Sequence, residues 1–197
     1  MMNKYDACKQ DRQFPVDLKG YNFTFRTTWG LFSPEHVDEG SRLLLEYVNV
    51  SPHDTVLDVG CGYGAIGLPL ARQSAHGIVH LVDKDFVAVE YARRNAVENG
   101  IHNAVAYLSN GLSHVPSIQF DVVVSNLPAK ASSELFYILF HDIKNCLRPQ
   151  GQLYVVTING LREYIKRTFR DIFGTYEKLK QGPRYTVAVA TKQPGED

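Results

Sequence analysis

Hydrophobic and polar positions change their period several times along this chain, and the changes mark out its elements. From Thr55 onward, short apolar runs alternate with longer segments of mixed polarity. The apolar runs predict strands at 55–59, 78–83, 104–108, 120–125 and 152–158. The mixed segments predict helices at 64–75, 86–98, 132–147 and 161–173. This alternation predicts an α/β fold, with a mostly parallel sheet and helices on both faces.

The end of the chain departs from this alternation. Two strand-like runs, at 176–179 and 185–191, flank a turn that contains Gly182 and Pro183. Short strands around such a turn predict a hairpin, so the sheet should close with an antiparallel pair. Together with the parallel strands, this pair predicts a seven-stranded sheet.

The start of the chain follows other patterns. Residues 1–20 are polar and mixed, and they predict a loosely packed N-terminal arm. Residues 21–27 alternate aromatic and polar side chains, which predicts a half-buried strand. Ser33 suits an N-cap, and the proline after it suits a first helical position, which predicts a helix over 34–48. We therefore expect one domain over 21–192, followed by a polar tail at 193–197.

Composition narrows the class of protein. With 197 residues, of which 44% are hydrophobic, the chain is long enough for one domain with a sizeable core. Basic and acidic residues number 21 each, so the formal net charge is zero, which argues mildly against non-specific nucleic-acid binding. No apolar run approaches the roughly 20 residues of a membrane span, and the N-terminus lacks the apolar centre of a signal peptide.

The cysteines and histidines indicate which cellular compartment suits the protein and whether it has a metal site. Cys8, Cys61 and Cys146 are far apart and odd in number, which predicts neither a disulfide framework nor a metal site. The histidines form no cluster with the cysteines in the sequence. We therefore expect a cytoplasmic protein that binds no metal and no membrane.

Three glycines follow the first strand of the alternating region. Gly60, Gly62 and Gly64 stand between an apolar run and a predicted helix. A strand that turns sharply into a helix brings backbone N–H groups against a ligand, and glycine leaves room for that ligand. Asp83 ends the next predicted strand, about 20 residues further on, where Rossmann-like folds place the acid that binds ribose hydroxyls. The third glycine comes one residue too early for the dinucleotide fingerprint, so nothing here indicates a pyrophosphate.

The glycine pattern and three further segments resemble a known family. Asp58-x-Gly60-x-Gly62-x-Gly64 is similar to motif I of the class I S-adenosylmethionine (SAM)-dependent methyltransferases. The segments that resemble the small-domain branch of that superfamily are 29–45, with Gly-Leu-Phe-Ser and Gly-Ser-Arg-Leu-Leu-Leu, Ser109-Asn110, and Ser125-Asn126-x-Pro128. The better-known members of this branch are ribosomal RNA guanine-N2 methyltransferases. The resemblance spans roughly residues 23–191 and implies a Rossmann-like class I methyltransferase fold.

The resemblance also implies that SAM is the cofactor and where it binds. The glycine loop and Asp58 would lie at its methionine end, and Asp83 at its ribose. Lys84 and Asn110 would lie near the adenine, although Asn110 is equally suited to an ordinary turn. The residues implied in cofactor binding are Asp58, Gly60, Gly62, Gly64, Asp83, Lys84, Asn110 and Asn126.

The remaining loop of the resemblance would present the methyl acceptor. An exocyclic amine is a poor nucleophile, because its lone pair is delocalised into the ring. The side-chain oxygen of Asn126 and the backbone carbonyl of Leu127 would accept hydrogen bonds from the amine and hold its lone pair toward the SAM methyl group. Pro128 would stiffen the loop. The implied catalytic residues are therefore Asn126, Leu127 and Pro128.

Two positions in this loop depart from the family pattern. Leu127 stands where the family has proline, which keeps the carbonyl but removes a fixed φ angle. Ala129 stands where the family has an aromatic residue, whose stacking on a flipped base is worth about 1–3 kcal/mol. Tyr21, Phe23 or Trp29 could supply that stacking surface instead.

Several hypotheses about function stay open at this point. The family implies guanine N2 of ribosomal RNA as the leading target, with RNA or a ribosomal particle as the partner and a monomer or homodimer as the enzyme. An adenine N6, a protein glutamine amide or a small-molecule amine would suit the same loop, and a non-catalytic SAM-binding module is a further alternative. Arg162, Lys166 and Arg170 form one helical stripe that could touch RNA phosphates, although a solvated helix face explains it too.

Overall fold

The computed structural model describes residues 10–195, which form a two-stranded sheet, a seven-stranded sheet and the helices that cover it. The strands are β1 (Arg12–Leu18), β2 (Tyr21–Thr27), β3 (Val56–Val59), β4 (Val79–Asp83), β5 (Ala104–Leu108), β6 (Phe120–Asn126), β7 (Leu147–Ile158), β8 (Glu177–Gln181) and β9 (Tyr185–Thr191). The helices are α1 (Glu39–Tyr47), α2 (Gly67–Gln73), α3 (Phe86–Glu98), α4 (Ser133–Cys146) and α5 (Arg162–Phe173), with a 3-10 turn at Asn159–Leu161 before α5.

The large sheet has the strand order β5-β4-β3-β6-β7-β9-β8. The first five strands in this order run parallel, whereas β9 pairs antiparallel with both β7 and β8. This arrangement confirms the predicted seven-stranded, mostly parallel sheet with an antiparallel hairpin at its end. The chain leaves β3 toward β4 on one side and returns to β6 on the other, so the order reverses at β3. Open α/β sheets bind ligands beyond the carboxyl ends of the strands at such a reversal.

Hydrophobic cores cover both faces of the sheet. On β6, Val122 and Val124 face one core, and Phe120 and Val123 face the other. The first core contains apolar residues of α1, α2 and α3, and the second contains those of α4 and α5. A strand that is buried on both faces reads as a continuous apolar run, which is why β6 is so apolar in sequence.

The N-terminal segment corrects one expectation. Residues 12–18, predicted as part of a loosely packed arm, form β1, which pairs antiparallel with β2. Phe14 contacts Phe25, with ring centroids 6.1 Å apart, so the segment buries apolar surface that the arm prediction overlooked. Lys19 and Gly20 join the strands with φ angles of 55° and 80°, as a two-residue hairpin turn requires. Residues 1–9 of the predicted arm and 196–197 of the predicted tail lie outside the described residues.

Asn95 of α3 and Asn99, the C-cap of that helix, attach the N-terminal hairpin to α3. Asn99 accepts from the backbone N–H of Thr24 at 2.9 Å and donates to its carbonyl at 3.0 Å. Asn95 does the same at Arg26, at 2.7 and 2.9 Å. One turn of helix and two residues of strand advance by similar lengths, so both amides reach the edge of β2. Asn95 also donates to the carbonyl of Tyr63 at 2.9 Å, which joins the hairpin to the glycine loop.

The first helix begins later than the sequence predicts. Helix α1 starts at Glu39, with Asp38 as its N-cap, and not at residue 34. Ser33 has a φ of 48°, so it lies in a left-handed turn and caps no helix. The carboxylate of Asp38 accepts from the backbone N–H groups of Gly40 and Ser41, at 2.9 and 3.2 Å. Between residues 10 and 195, no helix has the length and apolar character needed to cross a membrane.

Candidate active site

The glycine loop is a tight turn between β3 and α2. Gly60, Gly62 and Gly64 all have positive φ angles, of 75°, 55° and 95°. A Cβ at Gly64 would lie 2.8 Å from the side chain of Leu68, so this position requires glycine for packing. A Cβ at Gly60 or Gly62 would meet nothing within 4 Å, and these two glycines therefore leave open space next to exposed backbone.

Asp58 lies beneath this loop and is fully buried. One of its carboxylate oxygens, Oδ2, accepts from the backbone N–H of Gly67 at 2.8 Å, and the other, Oδ1, has no partner among the described residues. Burial raises the pKa of Asp58 to about 7, the Gly67 hydrogen bond opposes that rise, and the negative charge of Asp83 adds to it. A buried oxygen without a donor is costly, and a cationic or N–H group of a ligand would relieve that cost.

The second loop follows β4 and contains Asp83 and Lys84. Asp83 accepts from the backbone N–H of Gly62 at 3.0 Å through Oδ2, and from that of Asp85 at 3.0 Å through Oδ1. These bonds fix the carboxylate at the mouth of the glycine loop. Lys84 is exposed beside it.

The third loop follows β5. The buried side chain of Ser109 donates to the carbonyl of Gly111 at 2.8 Å and accepts from the backbone N–H of His114 at 3.1 Å. These two bonds hold the turn on which the exposed Asn110 stands. Asn110 also borders an open cavity of about 580 Å³. Most of residues 112–119 and the end of α4 line this cavity.

The fourth loop begins at the end of β6 with Ser125 and Asn126. Ser125 donates to the carbonyl of Val59 at 2.8 Å, which ties this loop to the start of the glycine loop. Leu127 donates its backbone N–H to the carbonyl of Val156 at 3.0 Å and is only 3% exposed. A proline at this position could not donate that bond, so leucine replaces the fixed φ angle with a hydrogen bond and a buried side chain.

A single cleft of about 180 Å³ brings most of the sequence-predicted residues together. The predicted residues that line it are Gly60, Asp83, Lys84, Asn110, Asn126, Leu127 and Pro128. Asp58, Gly62 and Gly64 do not line it, and of these Asp58 and Gly64 are buried. Leu135, Phe136 and Leu139 of α4 form an apolar wall that the sequence analysis missed, because their helical period indicates only a packed face.

The cleft fits SAM in its donor set. It combines open glycine backbone, the fixed carboxylate of Asp83, the exposed amide of Asn110 and an apolar wall. The unpartnered oxygen of Asp58 is buried under the same loop and places a polar group close behind the cleft. The hydrogen bond between Gly62 and Asp83 preorganises two of these parts before a ligand binds.

Two polar residues beside Asn126 were given no role in the sequence analysis. The side-chain nitrogen of Asn126 donates to Oδ2 of Asp38 at 3.0 Å and to Oγ of Ser41 at 3.0 Å. Both belong to the segment 29–45, which carried a family resemblance without an assigned chemistry. Their order in sequence, an acid and a hydroxyl three residues apart at a helix start, indicates only a capped helix.

The aromatic residues considered as stacking surfaces differ in exposure. Phe23 is only 2% exposed and lies in the core, which rules it out. Trp29 is 57% exposed and Tyr21 is 40% exposed. Ala129 is exposed as well, so the loop itself offers no aromatic face.

The basic stripe on α5 is partly neutralised. Glu163 lies 3.0 Å from Arg162 and 3.9 Å from Lys166, whereas Arg170 is exposed on the same helix. Ile165 and Phe169 of the same helix lie in the core. Across residues 10–195, no group of three His, Cys, Asp or Glu side chains is arranged as a metal site.

Comparisons with known proteins agree with the resemblance to methyltransferases. The family model described as the methyltransferase small domain matches residues 22–189. A Bacillus subtilis protein named uncharacterized protein YbxB is 38% identical over 141 residues, which cover 71% of this chain and 70% of the relative. The ribosomal RNA large subunit methyltransferase G of Streptomyces avermitilis is 31% identical over 169 residues, which cover 83% of this chain and 44% of the relative.

Solved structures share the fold. The 16S rRNA N2 methyltransferase RsmC of Thermus thermophilus, solved with AdoMet and guanosine, superimposes with a TM-score of 0.84 at 29% identity. That match covers 93% of this chain and 51% of RsmC, so the chain spans about half the length of these two ribosomal RNA methyltransferases. With a family match over most of its length, the chain belongs to the methyltransferase small domain family, and it is a methyltransferase that uses SAM as its cofactor.

Proposed function

We propose that this enzyme transfers the methyl group of SAM to an exocyclic amine, with guanine N2 of ribosomal RNA as the leading target. The observation that carries this proposal is the shared cleft: Asn126, Leu127 and Pro128 line the same cavity as Gly60 and Asp83. An amine that is held by the fourth loop would therefore lie next to a cofactor that is held by the first two.

Each loop would have a distinct task. The sulfonium centre of bound SAM supplies an activated methyl group. Asn126 and the Leu127 carbonyl would accept hydrogen bonds from the amine, orient its lone pair and stabilise the positive charge that develops on nitrogen. Pro128 would limit the motion of the loop. No covalent intermediate with the enzyme is needed, and the surplus proton of the product would pass to water.

The cofactor roles are proposed on the same basis. Asp83 would bind the ribose hydroxyls through oxygens that already accept from Gly62 and Asp85, since a carboxylate oxygen has two lone pairs. Asn110 and Lys84 would lie near the adenine, and Gly60 near the methionine end. The buried Asp58 and Gly64 would shape the glycine loop, and Gly62 would hold the Asp83 carboxylate.

Ribosomal RNA is proposed as the substrate because of the relatives. The Thermus protein methylates N2 of a guanine in 16S rRNA, and the Streptomyces protein is a large subunit ribosomal RNA methyltransferase. Such a target places the enzyme in the cytoplasm, where Cys61 and Cys146 would stay free, as they are in the structure.

A protein glutamine amide is the second candidate, and the exposed Ala129 favours it. An amide side chain presents an NH₂ group without a ring, so it needs no aromatic stacking partner beside the loop.

Labelled SAM separates these candidates. The purified enzyme would be incubated with deproteinised ribosomal RNA, with intact ribosomal subunits and with extracted ribosomal proteins, and with Asn126→Ala as the inactive control. Digestion of the RNA to nucleosides should yield labelled N2-methylguanosine. Label in N6-methyladenosine would move the target to adenine, label only in protein would establish the amide, and no transfer to any pool would support a non-catalytic module.

A further inference from the structure

Side chains from two separate parts of the fold converge on the amide of Asn126. Asp38 precedes α1, Ser41 lies in its first turn, and Asn126 ends β6, more than eighty residues further along the chain. The amide nitrogen of Asn126 lies 3.0 Å from Oδ2 of Asp38 and 3.0 Å from Oγ of Ser41. Helix α1 therefore contacts the proposed catalytic loop through polar groups and not through packing alone.

Chemistry fixes which end of the amide faces α1. A carboxylate has no N–H or O–H to donate, so the group that meets Asp38 must be the NH₂ of Asn126. An amide NH₂ has two hydrogens, and the contacts with Asp38 and Ser41 use both of them. The side-chain oxygen is the polar atom of Asn126 that these contacts leave for a ligand in the cleft.

The carboxylate of Asp38 is itself held in place. Its Oδ2 accepts from the backbone N–H groups of Gly40 and Ser41, and its Oδ1 accepts from the hydroxyl of Tyr185 at 3.2 Å. A Cβ at position 40 would lie 2.9 Å from Asp38 Oδ2 and 3.1 Å from the Tyr185 ring. Glycine at this buried position therefore lets Asp38, Tyr185 and the helix backbone approach closely.

We propose that Asp38, with Ser41, is a positioning residue for methyl transfer: it clamps the NH₂ of Asn126 so that only the carbonyl oxygen meets the acceptor. The proposal rests on the proposed function, and it adds a reason why the site takes some methyl acceptors and excludes others. A clamped Asn126 can accept a hydrogen bond from the substrate and cannot donate one. The site therefore selects an acceptor with an N–H at the reacting position, such as a primary amine or amide, against one that presents a lone pair or a carbonyl there.

Substitution of Asp38 by serine separates this role from helix capping. Serine is as good an N-cap as aspartate, but its side chain is too short to reach Asn126 as well. Asparagine has the length of aspartate and an oxygen that can accept from both α1 and Asn126. We expect Asp38→Ser to lower kcat about 10- to 100-fold at saturating SAM and acceptor, and Asp38→Asn to stay within about threefold of the parent.

A matched control substitution is available in the same protein. Asp54, in the turn before β3, accepts from the backbone N–H of Ser51 at 2.8 Å, at the opposite end of the sheet from the cleft. Asp54→Ser makes the same chemical change at a turn that does not contact Asn126. We expect it to leave kcat at the parent level. S-adenosylhomocysteine affinity, measured by calorimetry, should stay within about twofold of the parent in Asp38→Ser.

Nuclear magnetic resonance tests the clamp without any methyl acceptor. The side-chain NH₂ signals of Asn126, assigned by their loss in Asn126→Ala, should shift in Asp38→Ser and stay unshifted in Asp54→Ser. If the parent transfers no methyl group to any substrate pool, the proposed function fails, while these signals still report whether the clamp exists. A kcat of Asp38→Ser equal to that of the parent, or NH₂ signals that ignore the substitution, would overturn the positioning role.

Discussion

The backbone N–H of Gly62 donates to the carboxylate of Asp83 across 3.0 Å. This bond joins the loops that follow two adjacent parallel strands, β3 and β4, whose carboxyl ends lie side by side. It uses one lone pair of Oδ2 and leaves others for a ligand. The proposed ribose acid is therefore part of the structure of the glycine loop before any cofactor binds.

Removal of the Asp83 carboxylate should weaken cofactor binding. Hydrogen bonds to a charged group are worth about 1.5–3 kcal/mol, so we expect Asp83→Ala to raise the Kd of S-adenosylhomocysteine at least about tenfold. Titration calorimetry measures this directly. Asp83→Asn keeps an acceptor for Gly62 and should lose less affinity. Equal affinity of the parent and Asp83→Ala would remove this residue from the cofactor site.

Loss of the Asn126 amide should stop methyl transfer while the cofactor still binds. Truncation of a group that stabilises charge in the transition state lowers kcat by about 10²–10³-fold. We expect Asn126→Ala to show that loss with the RNA or protein substrate that the parent methylates. Its affinity for S-adenosylhomocysteine should stay within about threefold, because the other loops of the cleft are unchanged. A variant that turns over at the parent rate would disprove the catalytic assignment.

The stability of the free enzyme should depend on the ionisation of Asp58. Its pKa of about 7 in the folded protein lies above the value of about 3.9 in an unfolded chain. Between these two pH values the folded state binds more protons, so the free energy of unfolding should fall as pH rises from about 4 to about 7. The expected loss is on the order of 4 kcal/mol.

Asp58→Asn isolates this contribution, because asparagine can accept the Gly67 hydrogen bond without a titrating group. Urea unfolding at several pH values gives the difference in unfolding free energy between variant and parent. That difference should move in favour of the variant between pH 4 and pH 7 and then level off. A difference that is constant with pH would show that Asp58 does not titrate in this range.

The pattern of apolar residues predicted the large sheet well, because strands buried on both faces have a distinctive sequence. Helix α3 was predicted at its observed bounds, where Asp85 caps the start. The prediction failed where tertiary contacts decide the outcome. Residues 12–18 were grouped with the polar residues before them, yet alternate positions such as Phe14 and Val16 pack against the core, and their partners come from β2.

The candidate site, too, could be predicted only in part from the sequence. Loops that follow parallel strands meet at one edge, so Gly60, Asp83, Asn110 and Asn126 could be brought together by topology alone. The contact of Asp38 with Asn126 could not be predicted from topology. Asp38 lies more than eighty residues away in sequence, and the pattern around it indicates only a helix cap. The burial of Leu127 could not be predicted either. The carbonyl that accepts its N–H belongs to β7, so the surroundings of Leu127 depend on how β6 and β7 pair.

The N-terminal hairpin should depend on Asn95 more than on Asn99. Asn95 is fully buried and joins three backbone groups, of Arg26 and Tyr63, whereas Asn99 lies near solvent. Asn95→Ala would leave the buried Tyr63 carbonyl and the partly buried Arg26 groups without this partner, at about 1–3 kcal/mol for each fully buried group, so we expect a loss of about 2–4 kcal/mol in unfolding free energy. Asn99→Ala, whose backbone partners can turn to water, should lose about 1 kcal/mol. Urea unfolding of both variants provides the comparison, and equal losses would show that the hairpin is held by its aromatic contacts and not by the buried amide.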